Sequence, residues 1–374
     1  MKEPHIILGV GELLWDIMAE ERANDSPAAQ PSPVSTLGGA PANFSVMAGR
    51  LGSHAFLLSR IGRDDLGRQA VDRLDPLPVD ASLLEVDPTH ETGRVTVSVV
   101  QGEPRYTIHQ PAAWDFLELP DEWVKMAQRA DAICFGSLAQ RSAASRQTIQ
   151  TLAAETPAAC IRFFDVNLRE PFYTAEILQE SLQLATAVKM NAEETPVVLD
   201  LLDLAAEEEP PLNLRTSDYL HLCAERILDE FPALELVAIT RGKQGSLLVK
   251  REESHEHPGF PTQVADAIGA GDAFTAALVH YMLRGASLAT LNEAGNRWGS
   301  WIASQHGAMP ALPHAIFSAI SAAIEQTGSG WMRMNCWDLD HSLLARHPDS
   351  QRARLRKRFL CCQRSGPAVS MARL

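Results

Sequence analysis

The chain has 374 residues, 45% of them hydrophobic and 21% charged, the composition of an ordinary globular protein with ample material for a core. Formal net charge is −14, and no uncharged run is long enough to span a bilayer, which argues against broad nucleic-acid binding and against membrane insertion. The charge is uneven: residues 331–374 hold 9 Lys and Arg against 3 Asp, a net of +6, so residues 1–330 carry −20. An anionic ligand of that acidic body must be held by local dipoles or a metal. The six cysteines, Cys134, Cys160, Cys223, Cys336, Cys361 and Cys362, form no C-x-x-C pair and suggest neither a disulfide framework nor a zinc site. The apolar run Ile6–Val10 is cut short by Glu12 and makes a poor signal peptide. A soluble, cytoplasmic chain is the expectation.

In chain order, His5 to Val10 reads as a short buried strand ended by Gly9 and Gly11. After a polar, Pro-rich stretch from Asn24 to Pro33, Pro41 opens a helix through about Leu51, as Pro in a first helical turn does. Ala55–Ser59 reads as a strand and Gly67–Leu74 as part of a helix. Residues 93–110 alternate at period two around the turn Gln101-Gly102-Glu103-Pro104, the signal of a hairpin with one exposed face. From Ala130 onward strands and helices alternate. Ala132–Phe135, Cys160–Asp165, Ala187–Met190, Leu236–Thr240 and Ser246–Val249 are the strands, which implies a largely parallel sheet covered on both faces. Glu207-Glu208-Glu209-Pro210-Pro211 reads as a surface loop. Phe274–Leu283 and Leu291–Gln305 read as helices. The compact pattern stops near Gln326, so the expected organisation is one domain over 1–326 and a basic, loosely ordered extension over 327–374.

Asp266-Ala267-Ile268-Gly269-Ala270-Gly271-Asp272-Ala273-Phe274 carries the most chemistry. Its glycines let a phosphate approach unpaired amides at a helix N-terminus, where the dipole favours an anion. Asp272 stands where it could take a proton from an attacking hydroxyl. A capped tight turn would look the same from this segment alone. Three further segments share its texture. Gly38-Gly39-Ala40-Pro41-Ala42-Asn43 permits close ligand approach, and Asn43 can donate and accept. Gly11-Glu12 with Asp16 follows the first strand, where ligands of open parallel sheets bind. Thr240-Arg241-Gly242-Lys243-Gln244-Gly245 follows another strand. It lacks Walker spacing but could wrap a nucleotide phosphate, with Lys243 or Arg241 adding charge. No G-x-G-x-x-G opens the first β–α unit, which removes a Rossmann oxidoreductase from consideration.

Together these segments resemble the PfkB, or ribokinase-like, family of ATP-dependent sugar kinases. Gly38–Gly52 is similar to the family's first signature and Asp266–Phe274 to its second. Gly62-Arg63-Asp64-Asp65-Leu66-Gly67 matches its G-x-D-x-x-G, and Asn191-Ala192-Glu193-Glu194 its N-x-x-E. The likeness covers about residues 5–325. It implies an α/β, three-layer αβα fold with a mostly parallel central sheet and a small β-sheet lid that includes residues 93–110. It also implies ATP and Mg²⁺ as cofactors, a small sugar as partner, and a possible homodimer through lid strands. Asp272 would be the catalytic base, with the Gly269, Ala270 and Gly271 amides as anion hole. Asp16, Gly38, Gly39 and Asn43 would hold the sugar, with Arg169 near it. Asn191 and Glu194 would organise Mg²⁺ and the ATP phosphates, the metal through water. Thr240, Gly242 and Gly245 would line the nucleotide path, and Asn296 with Gly307-Ala308 the adenine pocket. Asp266 falls where many members bind a monovalent cation, usually K⁺. Ala267 departs from a frequent Thr and leaves the K⁺ dependence open. Gly11–Asp16, Tyr106–Asp115 and Asp165-Val166-Asn167-Leu168-Arg169 look like bacterial fructokinases, so fructose is the expected substrate. Ribokinase and 2-keto-3-deoxygluconate kinase are alternatives, as is a catalytically inactive sugar-binding relative.

Overall fold

Short apolar runs closed by glycine or a carboxylate make the strands, and the chain alternates them with helices for most of its length. The computed structural model describes residues 4–18, 35–100, 103–205 and 216–327. Strand β1 (Ile6–Val10) is followed by β2 (Leu14–Met18), β3 (Ser35–Gly38), α1 (Ala40–Arg50), β4 (His54–Leu58), β5 (Arg60–Gly62) and α2 (Asp65–Leu74). Then come β6 (Glu85–Asp87), β7 (Gly93–Val100), β8 (Glu103–Ile108), α3 (Asp121–Ala127), β9 (Ala132–Gly136) and α4 (Ala143–Ala154). The chain continues through β10 (Ile161–Asp165), α5 (Ala175–Leu184), β11 (Ala187–Asn191), α6 (Glu194–Leu201), α7 (Ser217–Glu230), β12 (Leu236–Thr240), β13 (Ser246–Val249) and β14 (Ser254–His257). Helices α8 (Ala270–Met282), α9 (Leu288–Ala303) and α10 (His314–Thr327) close the sequence of elements.

Eight strands form the main sheet in the order β14-β13-β12-β11-β10-β9-β1-β4. Pairing is parallel from β12 to β4, and only β13 and β14 run antiparallel. Alternate residues of each parallel strand face opposite layers. Leu8, Ile133, Phe164 and Val188 pack beneath α3 to α7. Ile7, Cys134, Phe163 and Ala238 pack against α1, α8 and α9. This burial on both faces is what continuous apolar strands without a polar side require. A second sheet, β3-β2-β7-β8, joins the body through Leu13, Trp15, Leu37, Val46 and Leu57. The fold is thus the ribokinase-like αβα sandwich with an added small sheet.

Strand and helix bounds agree with the sequence reading to within a residue or two at most ends. Two helices begin earlier than expected. Helix α8 starts at Ala270 rather than Phe274, because Gly269 takes a left-handed turn (φ 80°) that lets the helix begin at once. Helix α9 starts at Leu288, where the Ser287 side chain accepts the Thr290 amide. The expected loop at Glu207–Pro211, the Asn24–Pro33 stretch, the Gln101-Gly102 turn and the basic extension beyond Thr327 lie outside the described residues.

Helix α1 is pinned by close approaches that only glycine allows. A Cβ at Gly49 would lie 1.6 Å from the Pro78 carbonyl oxygen, and one at Gly9 would lie 2.1 Å from Ser45 Oγ. Gly49→Ala must push the Pro78 backbone away and is expected to cost about 1–3 kcal/mol or more. Urea unfolding would read this as a lower midpoint. An unchanged midpoint would show that the Pro78 segment yields freely.

Candidate active site

The site lies at the carboxyl ends of β1, β10, β11 and β12, where loops of an open parallel sheet gather. Helix α8 brings its N-terminus there. Asp272, 9% exposed, sits in its first turn and accepts a 2.7 Å hydrogen bond from Asn43 Nδ2. Asn43 comes from the first turn of α1, 229 positions away in sequence. Burial and then the charge of Asp165 push Asp272 up to about 6, against the opposing pull of Lys189, the Asn43 bond and Arg169. A carboxyl with that proton affinity is suited to accepting a proton near neutrality.

The turn before α8 is shaped for close approach. Gly269 is left-handed, and a Cβ there would lie 2.6 Å from that of Ala308, so the glycine loop packs onto the Gly307-Ala308 turn. The Ala270 amide donates to Ala267 O at 3.2 Å. That bond takes Ala270 out of the expected set of three open amides. Among the described residues, the Gly269 and Gly271 amides keep no such bond and remain available to an anion.

Behind Gly271 stands a group that the sequence reading missed. Lys189 Nζ lies 2.9 Å from where a Gly271 Cβ would be. It donates to both Asp165 oxygens, at 2.9 and 3.2 Å, and Thr275 Oγ1 donates to Asp165 from α8 at 2.9 Å. Burial pulls the Lys189 ammonium down, but Asp165, Glu194 and Asp272 together hold it above its ordinary value, so it is charged. A lysine in the otherwise apolar strand Ala187-Val188-Lys189-Met190 was the available signal. It lies two residues before Asn191, and so on the same face of β11.

On the sugar side, Asp16 projects from β2 so close to Gly38 that a Cβ there would lie 3.3 Å from Asp16 Oδ2. Burial raises Asp16 to about 6, with Arg169 opposing and Asp266 assisting. Gly39 (φ 108°) lies against the Glu12 carbonyl, which a Cβ would approach to 2.4 Å. Arg169 is exposed, and among the described residues its side chain bonds its neighbour's carbonyl, Leu168 O, at 2.9 Å. Its charge lowers the proton affinity of Glu12, Asp16 and Asp272 alike.

The nucleotide-side candidates form a continuous row. Asn191 is opposite Thr240 in the parallel pairing, and Thr240 is opposite Ser246 across the β12–β13 turn. Asn296 Nδ2 donates to Ser246 Oγ at 2.7 Å. Gly242 (φ 56°) faces open space, whereas Gly245 (φ 81°) is packed so tightly that a Cβ would lie 2.0 Å from His257 O. Gly245 is therefore a structural turn glycine and Gly242 an open one. Arg241 is spent on the fold: it bonds Glu256 at 2.6 Å and the carbonyls of Gln244 and His257. That leaves Lys243, which is exposed, as the cation of this loop.

Glu194 does two structural jobs. Oε2 accepts the Asn191 amide at 2.8 Å, and Oε1 accepts the Leu168 amide at 2.9 Å, holding the loop that carries Arg169. Asn191 Oδ1 in turn accepts the Glu193 and Glu194 amides. Asp266 accepts the Ile268 and Gly307 amides at 3.0 and 3.1 Å. No group of three His, Cys, Asp or Glu side chains able to hold a metal occurs among the described residues. The G-x-D-x-x-G segment is structural: Asp64 caps α2 through the Gly67 amide and accepts the Thr92 amide and hydroxyl.

The Thr240–Gly245 loop, the glycine turn before α8 and the buried Asp272 thus gather at the carboxyl ends of the parallel strands. Residues 7–315 match the pfkB family of carbohydrate kinases, and the chain belongs to that family. It is 28% identical to the sugar kinase PH1459 of Pyrococcus horikoshii over 81% of this chain and 91% of that one. The fructokinase of Escherichia coli is 29% identical over 74% of this chain and 88% of the relative. Among solved structures, PH1459 with ATP superposes with a TM-score of 0.65 at 27% identity, covering 81% of this chain and 94% of the other. The fructokinase of Xylella fastidiosa with bound ATP gives 0.69 at 23% identity, over 85% and 98%. Among the described residues, no helix is long and apolar enough to cross a membrane.

Proposed function

We propose that this carbohydrate kinase transfers the γ-phosphoryl group of ATP to a primary hydroxyl of a small sugar, with fructose the first candidate. The observation that carries the proposal is Asp272: buried at a helix N-terminus, fixed by Asn43, and adjacent to the free Gly269 and Gly271 amides. Asp272 takes the proton of the sugar hydroxyl as its oxygen attacks phosphorus. The two amides and the Lys189 ammonium meet the charge of the transferred group. Asp16, Gly38, Gly39, Asn43 and Arg169 orient the sugar. Asn191, Thr240, Gly242, Lys243 and Asn296 line the nucleotide path, and Gly245 shapes its turn. Mg²⁺, held through water near Glu194, would supply neutralising charge to the phosphates. Asp266 is the candidate for a monovalent cation such as K⁺. The small sheet covers the sugar and excludes competing water. Its strands are candidates for pairing in a homodimer.

Fructose is favoured over other sugars by the Escherichia coli fructokinase likeness. The test is ADP release, coupled to a spectrophotometric signal, across fructose, ribose, 2-keto-3-deoxygluconate and nucleosides, with Mg²⁺ and with or without K⁺. Fructose is expected to give the highest kcat/KM. Turnover of another sugar alone removes fructose and keeps the kinase reading. Sugar binding without any ADP release would point to an inactive relative.

A further inference from the structure

Two oxygens beside Asp272 lack a hydrogen-bond donor. Glu12 is 3% exposed; its Oε1 accepts the Ala40 amide at 3.3 Å, and its Oε2 has no partner. Asn43 is 6% exposed; its Nδ2 is committed to Asp272, and its Oδ1 has no partner. Ala40 and Asn43 lie in one helical turn of α1, so both unpartnered acceptors gather at its start. Buried acceptors without donors are costly, and an ionised carboxylate cannot help, because it only accepts. A protonated one can donate. The Glu12 backbone is packed so closely against Gly39 that a Cβ there would lie 2.4 Å from the Glu12 carbonyl oxygen.

We propose that Glu12 is a positioning residue for the reaction: a carboxyl buried at the start of α1 that, while protonated, holds the Asn43–Asp272 pair in place. The proposal rests on the reading of Asp272 as the base. The charged groups around it come from several elements. Asp272 on α8 opposes ionisation of Glu12, and Arg169, from the loop after β10, favours it. Lys189 on β11 and Asp165 on β10 act on Asp272 from below, and Cys134 on β9 feels both Glu12 and Asp272. Burial above all, then the Asp272 charge, lifts Glu12 to about 7, so its proton exchanges in the working range of the site. The Glu12 and Asp272 carboxyls therefore titrate as a pair.

The test compares the full-length chain with Glu12→Gln and Glu12→Ala. Glu12 stays neutral below about 7 while Asp272 ionises near 6, so Glu12→Gln, which mimics the protonated carboxyl, should keep the acid limb of kcat/KM near 6 and abolish the change in rate that wild type shows as Glu12 loses its proton near 7. Glu12→Ala should lower kcat about tenfold with a smaller change in KM, as expected when orientation rather than substrate binding is lost. A second readout needs no activity. A carboxyl raised from 4.5 to about 7 on folding gives stability that is full below about pH 4.5 and lost as pH rises through about 7. The difference in unfolding free energy between wild type and Glu12→Gln should vary across that window. A Glu12→Gln rate profile superimposable on wild type, or a stability difference that does not change with pH, overturns the proposal. If no sugar is turned over, the kinase reading fails on its own, and the stability difference still decides the state of Glu12.

Discussion

Asp272→Asn is expected to lower kcat on the order of 10²–10⁴-fold while sugar binding survives. The substitution keeps the shape of the side chain and an oxygen for Asn43 Nδ2, so the contact between α1 and α8 persists. What goes is the ability to receive a proton. It also removes one negative charge from a pocket where Asp165 already repels it, so thermal stability should hold or rise. That combination, stability kept and turnover lost, separates a missing base from a damaged fold. In the wild-type enzyme, kcat/KM should fall as pH drops through about 6, because protonated Asp272 cannot accept the hydroxyl proton. Turnover of Asp272→Asn within a few-fold of wild type would remove Asp272 from its role.

Lys189→Met should damage both stability and rate. The ammonium is buried and donates to both oxygens of Asp165. Removing one partner of such a pair strands the other charge, which costs about 3–5 kcal/mol. For a domain of this size that lowers the thermal midpoint by roughly ten degrees. Converting Asp165 to Asn in the same chain relieves the stranded charge and retains an acceptor for Thr275, so most of the stability should return. Turnover should not. The positive charge behind Gly271 is still missing, and loss of one preorganised electrostatic contact costs about 10²–10³-fold. If the double variant recovers full turnover as well as stability, Lys189 serves only the fold.

The parallel sheet was legible because β–α alternation and two-sided apolar strands leave few other arrangements. Asp272, Asn43 and the glycine turn were legible because their spacing is local and their residue types are specific. Lys189 and Asp165 were not, since each looks like an ordinary strand residue until β10, β11 and α8 meet. Arg241 shows the opposite error. Beside a glycine loop it suggested a phosphate contact, but Glu256 and two carbonyls, which no local pattern reveals, use its donors. Ala270 similarly looked like a third open amide, and only the backbone turn shows its bond to Ala267. Gly245 carried a ligand-like signal for a packing reason.

The small sheet hangs on very little chain. Only Gly11, Glu12 and Leu13 separate β1 from β2, and only Gly39 separates β3 from α1. Gly93, where β7 leaves the body, is wedged between Leu13 and Trp114. Any rotation of that sheet over the main one must turn about these points, which lie beneath the proposed sugar site. The fulcrum and the recognition surface are therefore the same residues. Strand β7 extends about 26 Å from this pivot, so a shift of an ångström at Gly39 is multiplied several-fold at its far end. On the proposed reading, a sugar settling against Gly39 and Asn43 would push at the short arm of that lever.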